Sequence, residues 1–213
     1  GWAGGIRATG EARDAIWACV GVSLTPKSET DRALLVLGTR VWGGGQMVKR
    51  LAPDAGAYLG DKGKGITALA IVAGIVLMVI GYRATDFIYV WAPPSFMVHI
   101  NNLLVLIAIY MMSPAPKKGA LLSGMRHPML TGFALWAIAH LLVNGDLASI
   151  VLVGGMLLYV PVQMMLINRA EPQWTPGPKG SIAKDGMFFV ASIVLLAVIG
   201  YIHGLIGPTP FPG

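Results

Sequence analysis

Long apolar runs, each bounded by polar or proline-rich residues, organise most of the chain. The five clear runs are Ile66–Tyr82, Phe96–Met112, Pro128–Val143, Ala148–Ile167 and Met187–Ile206. A membrane-spanning α-helix needs roughly 17–25 mostly apolar residues, so each run has about the length of one crossing. A weaker run, Ala33–Val48, precedes these five; it is interrupted by Arg40 and by three glycines, and it is closed by Lys49 and Arg50. The six runs are numbered along the chain, so that Ala33–Val48 is the first and Met187–Ile206 the sixth. The pattern predicts an all-α, polytopic transmembrane helix bundle of about six spans.

The predicted bundle occupies residues 33–213, and residues 1–32 form an N-terminal segment of uncertain structure. That segment has balanced charge and one short apolar patch, Ile16–Leu24. It also holds the single cysteine, Cys19, which excludes an internal disulfide and an all-cysteine metal site. We therefore expect Cys19 to be a small apolar filler.

Composition agrees with a membrane protein. The chain is 55% hydrophobic and 12% charged, with a mean hydropathy of +0.67, whereas soluble domains carry roughly a quarter charged residues. The net charge of +6 comes from basic residues in short gaps between apolar runs. Because no basic face lies on a soluble domain, the sequence predicts a lipid bilayer as the partner and no nucleic acid.

Lysine and arginine alternate between rich and poor loops. The rich loops follow runs one, three and five and hold Lys49, Arg50, Lys62 and Lys64, then Lys117, Lys118 and Arg126, then Arg169, Lys179 and Lys184. The intervening loops hold only Arg83 with Asp86, and then Asp146. By the positive-inside rule the rich loops are cytoplasmic. The prediction is a multi-pass protein of the bacterial inner membrane with residues 1–32 outside.

Three of the four histidines fall at one predicted membrane level. His99 lies near the start of the third run, while His140 and His203 lie near the ends of the fourth and sixth. All three positions are close to the outer face, and His127 lies at the opposite face. Imidazole is the commonest metal ligand and a frequent haem ligand. One hypothesis is a haem or metal site at His140 with His99 or His203; the other is interfacial histidines that bind water, head groups or neighbouring helices.

Arg126-His127-Pro128 opens the fourth run. Pro128 suits the first helical turn, where no backbone N–H is needed, so His127 either caps the helix or binds a ligand at its mouth. Arg126 can pair with a lipid phosphate or a cofactor carboxylate. His127 and His140 are thirteen positions apart, which is about 220° around a helix. One planar cofactor therefore cannot take both of these histidines.

The outer loop after the second run is aromatic and proline-rich. It follows Tyr82 and Arg83 and contains the stretch Val90–Pro94. The pattern is typical of an interfacial aromatic belt, and the alternative is a lid over the outer histidines.

Three segments together resemble the NnrU family of bacterial membrane proteins. They read GYRATDFIYVWAPPSFMVHINNLL, RHPMLTGFALWAIAHLLVNGDLASIVLVGG and INRAEP. The family is associated with denitrification and nitric-oxide metabolism, and it is similar to the plant 15-cis-ζ-carotene isomerase, a haem-b membrane enzyme whose iron is held by histidines. The resemblance implies cofactor-binding roles for His127, His140 and His99. The depth argument adds His203, and the Arg-His-Pro step adds Arg126. It departs at Gln46, where the family usually has histidine.

Several functions follow as expectations. The first is an NnrU-like inner-membrane protein that binds haem b, with His140 and His99 as metal ligands. Its chemistry would be redox or isomerisation on a lipophilic or small neutral substrate, linked to nitrogen-oxide or carotenoid metabolism. The alternative is a non-catalytic subunit of a larger respiratory or photosynthetic membrane complex. A membrane methyltransferase and a transporter find less support, because the downstream acidic pair and the internal repeats are missing.

Overall fold

Helices account for all the regular structure that the computed structural model describes, which covers residues 29–51 and 53–211. They are α1 Glu29–Leu51, α2 Pro53–Ala84, α3 Met97–Met112, α4 Ala115–Lys118, α5 Pro128–Val143, α6 Leu147–Ala170 and α7 Ile182–Ile206. Within these ranges there is no strand beyond one isolated bridge between Tyr89 and Asp146. The predicted all-α bundle is therefore confirmed. Residues 1–28, with Cys19 and the patch at 16–24, lie outside the described residues.

Three helices are long and apolar enough to cross a membrane: the stretch Gly63–Ala84 of α2, together with α6 and α7. Helices α3 and α5 are apolar but have only 16 residues each. Long apolar helices of this kind need a lipid environment, so the chain is a membrane protein. Helix α1 has 23 residues, but it is not apolar enough to be counted with these three helices. The total of six spans stays a prediction.

Two of the helices extend beyond the predicted runs. Helix α2 begins at Pro53 rather than near Ile66, so most of the predicted first cytoplasmic loop is helical. Helix α7 begins at Ile182, five residues before the apolar run, and takes Lys184 and Asp185 into its first turn. Ser181 caps this helix by accepting a hydrogen bond from the Ala183 N–H at 3.1 Å. A good N-cap lets a helix begin before its apolar residues do.

Helices α1 and α2 form a closely packed antiparallel hairpin. A Cβ atom at Gly38 would lie 2.6 Å from the Met78 backbone nitrogen, and one at Gly74 would lie 2.6 Å from that of Trp42. Real Cβ atoms do not approach backbone so closely, so the two backbones meet only because these residues are glycine. Small residues at a contact are how membrane helices gain van der Waals packing.

Helices α2, α3, α5, α6 and α7 alternate in direction. One end of the bundle holds the end of α2, the start of α3, the end of α5, the start of α6 and the end of α7, because residues from all five line one cavity there. We call this the outer end, after the predicted topology, and the opposite end the inner end. The alternation agrees with the depth argument that places His140 and His203 at one level.

Candidate site in a cavity at the outer end

The outer end of the bundle contains a cavity of about 1000 Å³. Its apolar walls come mainly from valine, leucine and isoleucine: Val98, Val105, Val143, Leu152, Val153, Leu196, Ile199 and Ile206. Its polar lining residues are Tyr82, Arg83, Asn101, Asn102, His140, Asn144, Ser149, His203 and Thr209. A mostly apolar pocket with a few convergent polar groups is the usual form of a ligand-binding site.

His140, on α5, is one of the residues that line this cavity. Its Nδ1 lies 2.9 Å from the Trp136 carbonyl oxygen, one turn earlier on α5. A carbonyl oxygen can only accept, so Nδ1 carries the hydrogen and Nε2 keeps its lone pair. The Trp136 ring packs against the imidazole with centroids 4.4 Å apart. The ring is therefore held in one tautomer and one orientation, as in histidines that bind metals.

His203, on α7, shows the same arrangement. Its Nδ1 lies 2.8 Å from the Pro208 carbonyl oxygen, so this nitrogen also donates and Nε2 keeps its lone pair. Pro208 belongs to the segment Gly207–Pro210, which lines the cavity after α7 ends. That segment is fixed at a second point, because Asn102 Nδ2 donates to the Pro210 carbonyl at 2.9 Å.

The predicted site residues divide into three groups. His140 and His203 line the outer cavity, as the depth argument predicts. His99 is exposed on α3 and is not among the lining residues. Arg126 and His127 lie at the inner end. Within the part of the chain that the structure describes, no group of three or more His, Cys, Asp or Glu side chains could hold a metal ion.

Arg126 and His127 tie two helices together at the inner end. His127 is the N-cap residue of α5 but makes no side-chain capping bond. Its Nε2 instead lies 2.8 Å from Asn168 Oδ1 near the end of α6. The neighbouring Arg126 guanidinium donates to the carbonyl of Glu171, the C-cap residue of α6. The Arg-His-Pro step thus joins the start of α5 to the end of α6.

Replacing His127 by Ala should lower stability without changing the outer cavity. The loss of one interhelical hydrogen bond costs about 1 kcal/mol in free energy of unfolding. Thermal unfolding in detergent, followed by circular dichroism, measures the change. Asn168→Ala should cost about as much, and the double variant no more than either single one. Additive losses would show that the two side chains do not form a pair.

The turn Asn144-Gly145-Asp146 holds the outer loop. The Val90 and Trp91 N–H groups both donate to the Gly145 carbonyl, at 2.8 and 3.1 Å. A Cβ atom at position 145 would overlap the Trp91 carbonyl. Asn144 completes the turn by donating from Nδ2 to the His140 carbonyl at 2.8 Å. The loop predicted as an aromatic belt or lid is therefore hydrogen-bonded to the turn between α5 and α6.

Gly145→Ala should displace this loop. The added methyl group meets a backbone carbonyl that cannot rotate away, and overpacking of this kind costs about 1–3 kcal/mol. Limited proteolysis should cut the variant between Asp86 and Ser95 faster than the parent. Gly154→Ala is the matched control, because a Cβ there meets nothing within 4 Å and alanine favours a helix. Equal cleavage of all three proteins would contradict the prediction.

Three side chains form a hydrogen-bonded chain that ends at the cavity. Ser149 Oγ donates to Asp146 Oδ2 at 2.5 Å, and Tyr82 Oη lies 2.9 Å from Ser149 Oγ. Asp146 is 5% exposed, and its Oδ1 also accepts from the Ser149 N–H at 2.9 Å, which caps α6. Because the serine hydrogen is committed to Asp146, Tyr82 must donate to Ser149. The sequence shows a capping signal here but gives no sign of the link to Tyr82.

Asp185 is a second polar centre, at the inner end, and sequence reasoning placed it in a loop. It is 3% exposed, and it accepts from Tyr110 Oη at 2.6 Å and from the N–H groups of Ala120 and Leu121 at 2.6 and 3.2 Å. The carboxylate thereby joins the start of α7 to the end of α3 and to the loop after α4. A signal was present in the N-cap residue Ser181, four residues before the acid.

Comparison with known proteins gives one match. The model of the family described as NnrU protein matches residues 34–210. Those residues contain all four histidines and every residue that lines the cavity. No curated protein and no solved structure matches the chain.

Proposed function

The chain belongs to the NnrU family, and from that premise we propose that its outer cavity binds haem b through His140 and His203. The observation that carries the proposal is that these two imidazoles, on different helices, line one cavity with Nδ1 committed to a backbone carbonyl. Each Nε2 therefore keeps a lone pair suited to an axial bond to iron.

The donor set fits a haem. The porphyrin nitrogens occupy four positions around iron, so the protein supplies only one or two axial ligands. The aliphatic walls would contact the macrocycle, and Arg83, a cationic lining residue that also donates to the Ile206 carbonyl at 3.1 Å, would bind a propionate. The carbonyls of Trp136 and Pro208 act as outer partners that orient the two imidazoles. Arg83 thus takes the role that the sequence suggested for Arg126.

Gln46 does not count against this site. It lies on α1, and none of the α1 residues 33–47, whose side chains the structure describes, lines the outer cavity. The family histidine that glutamine replaces would therefore stand outside the cavity. His99 and His127, the other two histidines implied by the resemblance, also lie outside it.

A bound haem would supply a change of iron oxidation state and a replaceable axial position. The residues of the chain bind and orient the cofactor and exclude water from its apolar faces. His140 is half-buried and His203 is exposed, so His140 would hold a bound haem more firmly than His203. Redox or isomerisation chemistry on a lipophilic or small neutral substrate, of nitrogen-oxide or carotenoid type, is the activity that such a site would support.

An absorption spectrum tests the proposal. The protein is expressed in cells supplied with a haem precursor, purified in detergent and measured oxidised and reduced. We expect a Soret band, a shifted reduced band and about one haem per chain by pyridine haemochrome assay. A folded, colourless protein that also fails to take up added haemin would refute haem binding. If such a protein carried a second protein at fixed stoichiometry, the alternative of a non-catalytic subunit would be favoured instead.

A further inference from the structure

Most polar side chains that line the outer cavity already donate hydrogen bonds to protein atoms. Arg83 Nη2 donates to the Ile206 carbonyl, Asn102 Nδ2 to the Pro210 carbonyl and Asn144 Nδ2 to the His140 carbonyl, while Asn101 Nδ2 donates to Asn102 Oδ1 and both imidazole Nδ1 atoms donate to carbonyls. Both imidazole Nε2 atoms and the Tyr82 oxygen keep lone pairs. A ligand hydroxyl can donate to these lone pairs, whereas a ketone or an ether cannot.

Tyr82 is the clearest of these acceptors. Its hydrogen points to Ser149 because the hydrogen of Ser149 points to the buried carboxylate of Asp146. A charged acceptor holds its donor more strongly than a neutral one does, so the order of the chain is fixed from Asp146 outward. The phenol oxygen of Tyr82 then offers its lone pairs to whatever occupies the cavity.

Asn101 gives an independent sign of a missing donor. It is 8% exposed and lines the same cavity, and its Oδ1 has no hydrogen-bond partner among residues 29–51 and 53–211. A buried acceptor without a donor is costly, and native proteins rarely keep one. A ligand hydroxyl that reaches this amide would supply the donor.

We propose that the outer cavity binds an amphiphile with an apolar body and a hydroxyl head, such as a long-chain phenol or quinol, and that Tyr82 selects the hydroxyl by accepting its hydrogen bond. The proposal rests on the proposed function only in that haem and amphiphile share one cavity. Tyr82 acts here as a specificity-determining residue, with Ser149 and Asp146 as positioning residues.

Two probes that differ in one hydrogen-bond donor test this. Para-octylphenol has the hydroxyl, and para-octylanisole has the same body with a methyl ether. Binding to the full chain in lipid nanodiscs is measured by calorimetry, with partition into empty nanodiscs subtracted. One net hydrogen bond corresponds to roughly tenfold in Kd, so we expect the phenol to bind about tenfold more tightly. Equal affinity, or preference for the ether, would overturn the proposal.

Variants separate selection from mere folding. Tyr82→Phe should bring the two affinities together by weakening the phenol. Ser149→Ala keeps the backbone N–H that caps α6 but releases the Tyr82 hydrogen, so the ether should gain affinity, a change that a structural role would not produce. Tyr201→Phe, at an exposed tyrosine outside the cavity, should keep the tenfold preference. An unchanged preference in both cavity variants would overturn the role of Tyr82.

The haem spectrum recorded on the same samples keeps the two proposals apart. A Soret band with equal affinity for both probes would overturn the selection of a hydroxyl and leave haem binding standing. A phenol preference without a Soret band would support the selection and refute the haem.

Discussion

We expect the substitution His140→Ala to abolish the Soret band, which is the largest effect predicted for this protein. The substitution removes the imidazole that Trp136 orients, and alanine offers iron no ligand. Histidine is a usual ligand of haem iron, and losing only the partner that orients a ligand typically costs about 10–100-fold in metal affinity. Losing the ligand itself should therefore lower haem content at least about tenfold. Pyridine haemochrome assay of equal amounts of folded protein measures it.

The position of each histidine supplies the controls. His203→Ala should keep the haem but shift its oxidised and reduced spectra, because one of two axial ligands is lost. His99→Ala, at an exposed residue that does not line the cavity, should leave haem content and spectrum unchanged. His127→Ala should also keep both, because this residue lies at the inner end. Loss of haem from the His99 variant with retention in the His140 variant would reverse our assignment and favour His99 as the ligand that holds the haem.

Asp185→Ala should cause the largest loss of stability. It leaves the Tyr110 hydroxyl and the N–H groups of Ala120 and Leu121 without their shared acceptor. Buried donors without partners cost about 1–3 kcal/mol each, and water entering from the inner end offsets part of that. We expect the free energy of unfolding to fall by about 2–4 kcal/mol, measured by thermal or detergent-induced unfolding.

A graded series tests the cause. Asp185→Asn keeps one acceptor oxygen and should lose less than Asp185→Ala. Tyr110→Phe removes a single donor and should lose about 1 kcal/mol. Lys184→Ala, at the exposed neighbouring position, should be close to neutral. If the asparagine and alanine variants unfolded alike and no more readily than the lysine control, the carboxylate would have no role in holding α7.

The helices could be predicted because hydropathy is a local property. The runs at Ile66, Phe96, Pro128, Ala148 and Met187 each correspond to an observed helix. The shared level of His140 and His203 followed from the alternating direction of consecutive spans. Both inferences need only the order of residues and the length of a helix, which the sequence contains.

The partners of single side chains could not be predicted in the same way. Asp185 meets Tyr110 across 75 positions, and Tyr82 meets Ser149 across 67. Such pairs depend on which faces of two helices turn towards each other, and an apolar helix with no dominant face gives no periodic signal for that. The position of Gly207–Pro210 beside the cavity could not be predicted either. It depends on hydrogen bonds to the Pro208 and Pro210 carbonyls rather than on a turn motif.

The hydrogen bonds of Asp185 also have a consequence for membrane insertion and folding during synthesis. A ribosome delivers the chain from its N-terminal side, so Tyr110 and the loop at Ala120 are synthesised before α7. The acceptor for their three donors arrives only with α7, which also carries His203 and the segment that closes over the cavity. During synthesis the cavity therefore stays open on one side until α7 docks. A bulky ligand can enter from the lipid in that interval, before the wall is complete.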